Sequence, residues 1–194
     1  MSQPTGRLTA ALERRSADTI AHQKRIARIA GRLAADMGWS EEEGRALELA
    51  ASMHDIGKLA LPHRVLAKPG ALDPFERKIV QTHTVLGALL LLGKAGTWVR
   101  LARSIALHHH ERWDGRGYPR RLAGSSIPAG ARIVAVADVF DALTHSRVYR
   151  PAFPVGRAVE YMRLQRGRHF DPDVMDCFLD LLPAISSHQV FQVA

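Results

Sequence analysis

Residues 132–140 read RIVAVADVF, and whether they form a strand or a helix decides the fold class. The β-branched Ile133, Val134, Val136 and Val139 favour a strand. The small residues Ala135 and Ala137 and the acidic Asp138 suit a buried helix better, and strand-like alternation is scarce elsewhere in the chain. Apolar residues recur with a period close to 3.6 almost throughout, which is the pattern of amphipathic helices. The expectation is therefore an all-α fold, with a helix opened by Pro128 and running through Leu143.

Working outward, Thr97 starts a helix that runs into the histidines at 108–110, after a turn from Gly93 to Gly96. Upstream, Asp73-Pro74-Phe75-Glu76 places an acidic cap before a proline at the first helical position and predicts a helix to about Leu92. Ser40 and Glu43 form a capping box that opens a helix to about Met53. Residues 7–37 read as a long helix with Leu8, Leu12, Ile20, Ile26, Ile29, Ala30 and Leu33 inward, ending at Gly38. Two more helices are expected near 155–166 and 172–182. No internal repeat, low-complexity segment or linker divides the chain, so one helical domain is expected, with residues 1–15 as a lead-in and 183–194 as a tail.

The chain has 194 residues, 46% of them apolar, which is enough for one substantial core. Its longest apolar runs, such as ALLLLG at 88–93, are too short for a membrane span, and the N-terminus lacks a secretory apolar region. A single cysteine, Cys177, excludes a disulfide within the chain and fits a reducing, cytoplasmic setting. The formal charge of +8 is compatible with an anionic ligand. Few aromatic residues accompany the basic ones, so a stacking platform for nucleic acid is not supported. Neither a nucleic-acid nor a membrane partner is expected.

The chemistry concentrates in polar residues within apolar helices. MHDIGK at 53–58 ends an apolar helix with His54 and Asp55. His22 shares a helix with Ile20, Ile26 and Ile29, with Asp18 one turn before it. His83 lies within ERKIVQTHTVLGALLLL, and Asp138 interrupts IVAVADVF, with Asp141 three residues on. The stretch LHHHERWDGRGYPRRL at 107–122 supplies three consecutive histidines beside a glycine-punctuated loop. An ionised carboxylate in an apolar run is expensive unless it is paired or bound to a metal, and facing helices of a bundle are where such metal sites are built. Imidazole plus carboxylate without thiolate suits Fe, Mn, Ni or Zn. The donors outnumber the needs of one four-coordinate ion and imply at least two, roughly 3.5–4 Å apart.

HDIGK, THTVLG, HHERWDGRGYP and ADVFDALTHSRVYR occur in the order and approximate spacing of the HD-GYP domain, a branch of the HD phosphohydrolases, and the resemblance extends from about residue 16 to 182. It implies a single-domain helical bundle of the HD phosphohydrolase type, with a metal site between helices. It further implies a cytoplasmic, metal-dependent phosphodiesterase that hydrolyses cyclic di-GMP to linear pGpG, and onward to GMP in some members, through attack of a metal-bridging hydroxide. Carried onto this sequence, the resemblance implies metal ligation by His22, His54, Asp55, His83, His109, His110 and Asp138, with Asp55 bridging. The family's two histidines stand immediately before its glutamate, here Glu111, so His108 falls outside the set. Lys58 resembles the lysine that reaches towards a phosphate or the attacking water, and Asp55 and Lys58 form the implied catalytic pair. Lys58, Asp141, Arg147 and Arg150 resemble substrate contacts.

Two divalent ions, Fe or Mn, are implied; some members bind a third through a glutamate, and at that position this chain has Asp18, a donor of the same kind but a methylene shorter. Gly117, Tyr118 and Pro119 resemble the loop that lies over the site as a lid or as a docking surface for a diguanylate cyclase or regulatory domain, with a dimer among the assemblies allowed. Regulation is expected from a separate protein or a longer chain. The alternatives are a non-hydrolytic module that binds cyclic di-GMP or a protein partner, and another HD-type nucleotide phosphohydrolase.

Overall fold

The computed structural model describes residues 17–66, 68, 70–146 and 151–187, with side chains described between residues 20 and 183. Among these residues, RIVAVADVF forms the middle of a helix, and the one extended pairing is the isolated bridge between Arg166 and Phe170. The helices in chain order are α1 (Ala17–Asp36), α2 (Glu41–Ala51), α3 (His63–Leu66), α4 (Pro74–Gln81) and α5 (His83–Leu90). They continue with α6 (Thr97–His108), α7 (Ala129–Thr144), α8 (Val155–Arg163) and α9 (Pro172–Ser187). Leu8 and Leu12 lie outside the described residues. The last helix continues past residue 182 into the stretch expected to be a tail.

The local signals act as expected at two starts. Ser40 accepts from the Glu43 N–H while Glu43 reaches back to the Ser40 N–H, and Asp73 and Glu76 repeat the arrangement at α4. On α1 the positions Ile26, Ile29, Ala30, Leu33 and Ala34 are all buried, the i, i+3, i+4, i+7, i+8 stripe of a helix packed on one side. Helix α7 is buried on nearly every side through Ile133, Val134, Ala135, Val136, Ala137 and Phe140. That setting overrides the strand preference of its β-branched residues, because a central helix can bury any face. Around it, α1 packs on α2 and α7, α2 on α6, and α9 on α1 and α7. Phe140 and Phe178 meet edge to face at 4.9 Å in the shared core.

One expected helix is two. The segment from Asp73 to Leu92 breaks at Thr82, where three successive side chains bond backwards to carbonyls. Thr82 Oγ1 donates to Ile79 O at 2.7 Å, His83 Nδ1 to Val80 O at 2.6 Å and Thr84 Oγ1 to Gln81 O at 3.0 Å. Such local bonds compete with the helical ladder and tighten the turn. The break swings His83, at the start of α5, into the interior, where it is 1% exposed.

Opposite lies a 3-10 turn, Ile56–Ala60, which packs on α5. A Cβ at Gly57 would fall 1.9 Å from His83 O and 2.5 Å from Gly87 N, so only glycine allows this backbone-to-backbone approach. It sets Asp55 beside His83. Among the described residues, no helix is long and apolar enough to cross a membrane.

Candidate metal centre

Seven side chains from separate parts of the bundle converge in two groups. Asp55, His83, His109 and His110 form one, and His22, His54 and Asp138 the other, with the donor atoms of each group within 4.8 Å of one another. The two groups adjoin through Asp55. Its Oδ2 lies 3.3 Å from His54 Nε2, and its Oδ1 lies 3.3 Å from His83 Nε2 and 3.8 Å from His109 Nε2. His22 Nε2 lies 3.6 Å from Asp138 Oδ1. Asp55 thus stands where one carboxylate can serve both groups.

The histidines are oriented before any ligand arrives. Backbone carbonyls only accept, so an imidazole Nδ1 bonded to one must carry the proton. Ala51 O holds His54 Nδ1 at 2.8 Å, Val80 O holds His83 Nδ1 at 2.6 Å and Ile105 O holds His109 Nδ1 at 3.0 Å. In the neutral rings this leaves Nε2 as a bare acceptor. His83 Nε2 and His109 Nε2 then face each other 3.4 Å apart with no proton to share. His54 Nε2 and Asp55 Oδ1 are buried without a hydrogen-bond partner. Converging lone pairs of this kind are unsatisfied by one another and are satisfied by a cation.

The electrostatics favour neutral rings at His83, His109 and His110. Burial, reinforced by the neighbouring His54, pulls the His109 pKa down to about 3. Burial likewise lowers His110 and His83. Burial works to lower His54 as well, but the Asp55 and Asp138 carboxylates outweigh it and raise its pKa. Burial would raise Asp55, yet Lys58 and His54 overcome this and hold its carboxyl well below the ordinary range. Asp55 is therefore an anion in a nearly dry site, ion-paired with Lys58 Nζ. The residues present fit divalent cations of the N/O-preferring class.

The remaining expected residues are placed as follows. His108 is buried, bonds Ser104 O at 2.9 Å and joins neither group. Tyr118 stacks on His110 with ring centroids 4.8 Å apart. Arg147 and Arg150 lie outside the described residues, and Asp18 lies in the first turn of α1 with its side chain outside them too.

Asp141, expected to face a substrate, is instead 2% exposed and turned inward. Its Oδ2 accepts from His22 Nδ1 at 2.6 Å, and the Arg25 guanidinium grips both of its oxygens. Burial would raise its pKa, but His22 and Arg25 bring it down to about 2. Arg25 is the residue the sequence reading passed over. Its signal was a basic side chain three residues after His22 on the same helical face.

A family model described as HD domain matches residues 8–174. The chain is 47% identical over 173 residues to the cyclic di-GMP phosphodiesterase response regulator RpfG of Xanthomonas campestris, covering 89% of this chain and 46% of that protein. It is 42% identical over 173 residues to the 3′3′-cGAMP-specific phosphodiesterase 2 of Vibrio cholerae, covering 89% of this chain and 33% of that protein. It therefore spans less than half the length of both relatives. The solved structure of Bd1817, an HDG"Y"P protein from Bdellovibrio bacteriovorus, superimposes with a TM-score of 0.67 at 20% identity. That match covers 85% of this chain and 52% of that one.

Proposed function

The chain belongs to the HD domain family, and from that premise we propose that it is a metal-dependent phosphodiesterase of the HD-GYP branch, cleaving cyclic di-GMP to linear pGpG. The observation that carries the reading is the pair of donor groups joined at Asp55. In this reading His83, His109 and His110 would hold one ion, His22, His54 and Asp138 would hold the other, and Asp55 would serve both. Fe or Mn suits the imidazole-carboxylate set. Divalent ions held by these residues would lower the pKa of water and offset charge on the phosphoryl oxygens.

The chain's own groups do the rest. Lys58, paired with Asp55 and 39% exposed at its side chain, reaches from the donor cluster to the open side, where its ammonium can meet a phosphate oxygen. Asp141 is a positioning residue. It fixes the His22 tautomer and turns Nε2 towards Asp138, as carboxylates behind metal-binding histidines do. Arg147 and Arg150 are proposed contacts for the second phosphate and a guanine base, and Asp18 a donor to a third ion. Arg116, Arg120 and Arg121 on the outer side of the loop are exposed and offer the face on which a diguanylate cyclase or regulatory domain would dock.

A second substrate reading has a specific support: one relative at 42% identity is named for 3′3′-cGAMP. The experiment is chromatographic product analysis of metal-replete protein given cyclic di-GMP and 3′3′-cGAMP in parallel. Faster loss of cyclic di-GMP with pGpG appearing supports the proposal. Preferential loss of 3′3′-cGAMP moves the substrate to that dinucleotide, and binding without cleavage of either makes the domain a sensor.

A further inference from the structure

His54, His83 and His109 are each oriented by a backbone carbonyl on Nδ1, and His22 by the Asp141 carboxylate. His110 is the exception. Among the described residues its ring nitrogens have no hydrogen bond, although it belongs to the same donor group. Its ring is held by contact instead, lying 4.1 Å from that of His109 and stacked on Tyr118 at 4.8 Å with 27° between planes.

The loop that carries Tyr118 is fastened closely. Glu111 is 2% exposed, and both of its oxygens accept backbone N–H groups, from Arg120 at 2.7 Å and Leu122 at 3.1 Å. A carboxylate withdrawn from water and bonded to two amides is a strong, directional fastening. Gly117 lets the returning segment of the loop press against residues 110–112, just after α6. A Cβ there would stand 2.4 Å from Arg112 N, 2.5 Å from Glu111 Cα and 2.6 Å from His110 O. The Tyr118 N–H then donates to His110 O at 3.2 Å, which sets the phenol ring over the imidazole of the residue it is bonded to.

We propose that Tyr118 is a positioning residue for His110, and that Glu111 and Gly117 build the clamp that keeps it there. On this account the glycine-tyrosine segment belongs to the construction of the metal centre, whatever else docks on its outer face. The inference rests on the reading of His110 as a metal ligand. It assigns the work to the aromatic face of Tyr118 and not to its hydroxyl.

The test is Co(II) uptake by metal-free protein, followed by visible absorption, for wild type, Tyr118→Phe, Tyr118→Leu and His110→Ala. Tyr118→Phe should stay within about twofold of wild type, because the stacked ring is retained. Tyr118→Leu should weaken binding by about tenfold, towards His110→Ala, the size expected for loss of an orienting partner. If Tyr118→Leu does not fold, Glu111→Gln replaces it. That change keeps both rings but weakens one of the two fastenings, and a several-fold loss is expected. Tyr118→Leu binding as tightly as wild type while His110→Ala is weaker would overturn the clamp and leave the ligand reading standing. A Tyr118→Phe loss equal to that of Tyr118→Leu would also overturn it. Equal affinity of His110→Ala and wild type would remove the ligand role itself.

Discussion

Helices α1 and α7 each contribute to two interiors of opposite character. On α1, His22 precedes Ile26 by one turn, and on α7, Val134 precedes Asp138 by one turn. One interior is apolar, built on Ile26, Leu33, Leu47, Ile133, Phe140, Met175 and Phe178, all 0% exposed. The other is the histidine and aspartate centre, almost as deeply buried at His54, His83 and His109. The first is stable by packing alone, because each fully buried side chain contributes about 1.5–3 kcal/mol and leaves nothing unsatisfied. The second buries imidazole lone pairs and carboxylate oxygens, His54 Nε2 and Asp55 Oδ1 among them, that a divalent cation would satisfy. The apolar half therefore holds in place a centre whose converging donors a bound cation would stabilise.

Substitutions in the two interiors should separate stability from activity. Asp55→Ala removes the group that both donor sets share. Cyclic di-GMP turnover should fall by about a thousandfold or more, with metal content reduced, while the circular dichroism spectrum stays helical. Phe178→Ala should do the reverse, lowering stability by about 3–5 kcal/mol in urea unfolding. Turnover per folded molecule should stay near wild type when assayed well below the melting temperature.

Asp141→Asn tests the boundary between the halves. It keeps the shape but removes the charge that orients His22 and holds Arg25, so metal affinity should drop by about 10–100-fold in a competition titration.

The smallest effect is in pH. His109, with its folded pKa near 3, and His110 and His83, lowered in the same direction, take up protons more readily when unfolded, where the value is about 6.5. Their contribution to stability is present above that value and is lost as pH falls below it. His54 shifts the opposite way, and is outnumbered. Asp141, near 2 in the fold, adds to the loss only below about pH 4. Metal-free protein should thus melt several degrees lower at pH 5 than at pH 7. Phe178→Ala should shift the whole curve down without changing that slope. A melting temperature independent of pH over this range would contradict the account of the neutral histidines.

The sequence carried much of this, and unevenly. Helix existence followed from period and caps, since Ser40 with Glu43 and Asp73 with Glu76 act locally. His22, His54, Asp55, His83 and Asp138 stood out as polar residues in or beside apolar runs, and the resemblance to the HD-GYP domain set His109 and His110 apart from His108. What was not legible depends on long-range meeting or competition between bonds. Arg25 and Asp141 are 116 residues apart, and nothing local announces that one will grip the other. The break at Thr82 comes from three side chains competing with the ladder at once, which periodicity does not register. Glu111 read as a marker beside the histidines, and its bonds to Arg120 and Leu122 become visible only once the loop has closed.

The most direct test of the account is metal content and turnover on one sample. Anaerobically purified protein would be analysed by elemental mass spectrometry while cyclic di-GMP consumption is followed by chromatography. The account predicts about two or more Fe or Mn ions per chain together with pGpG. Folded protein that takes up no metal under any loading condition would contradict it.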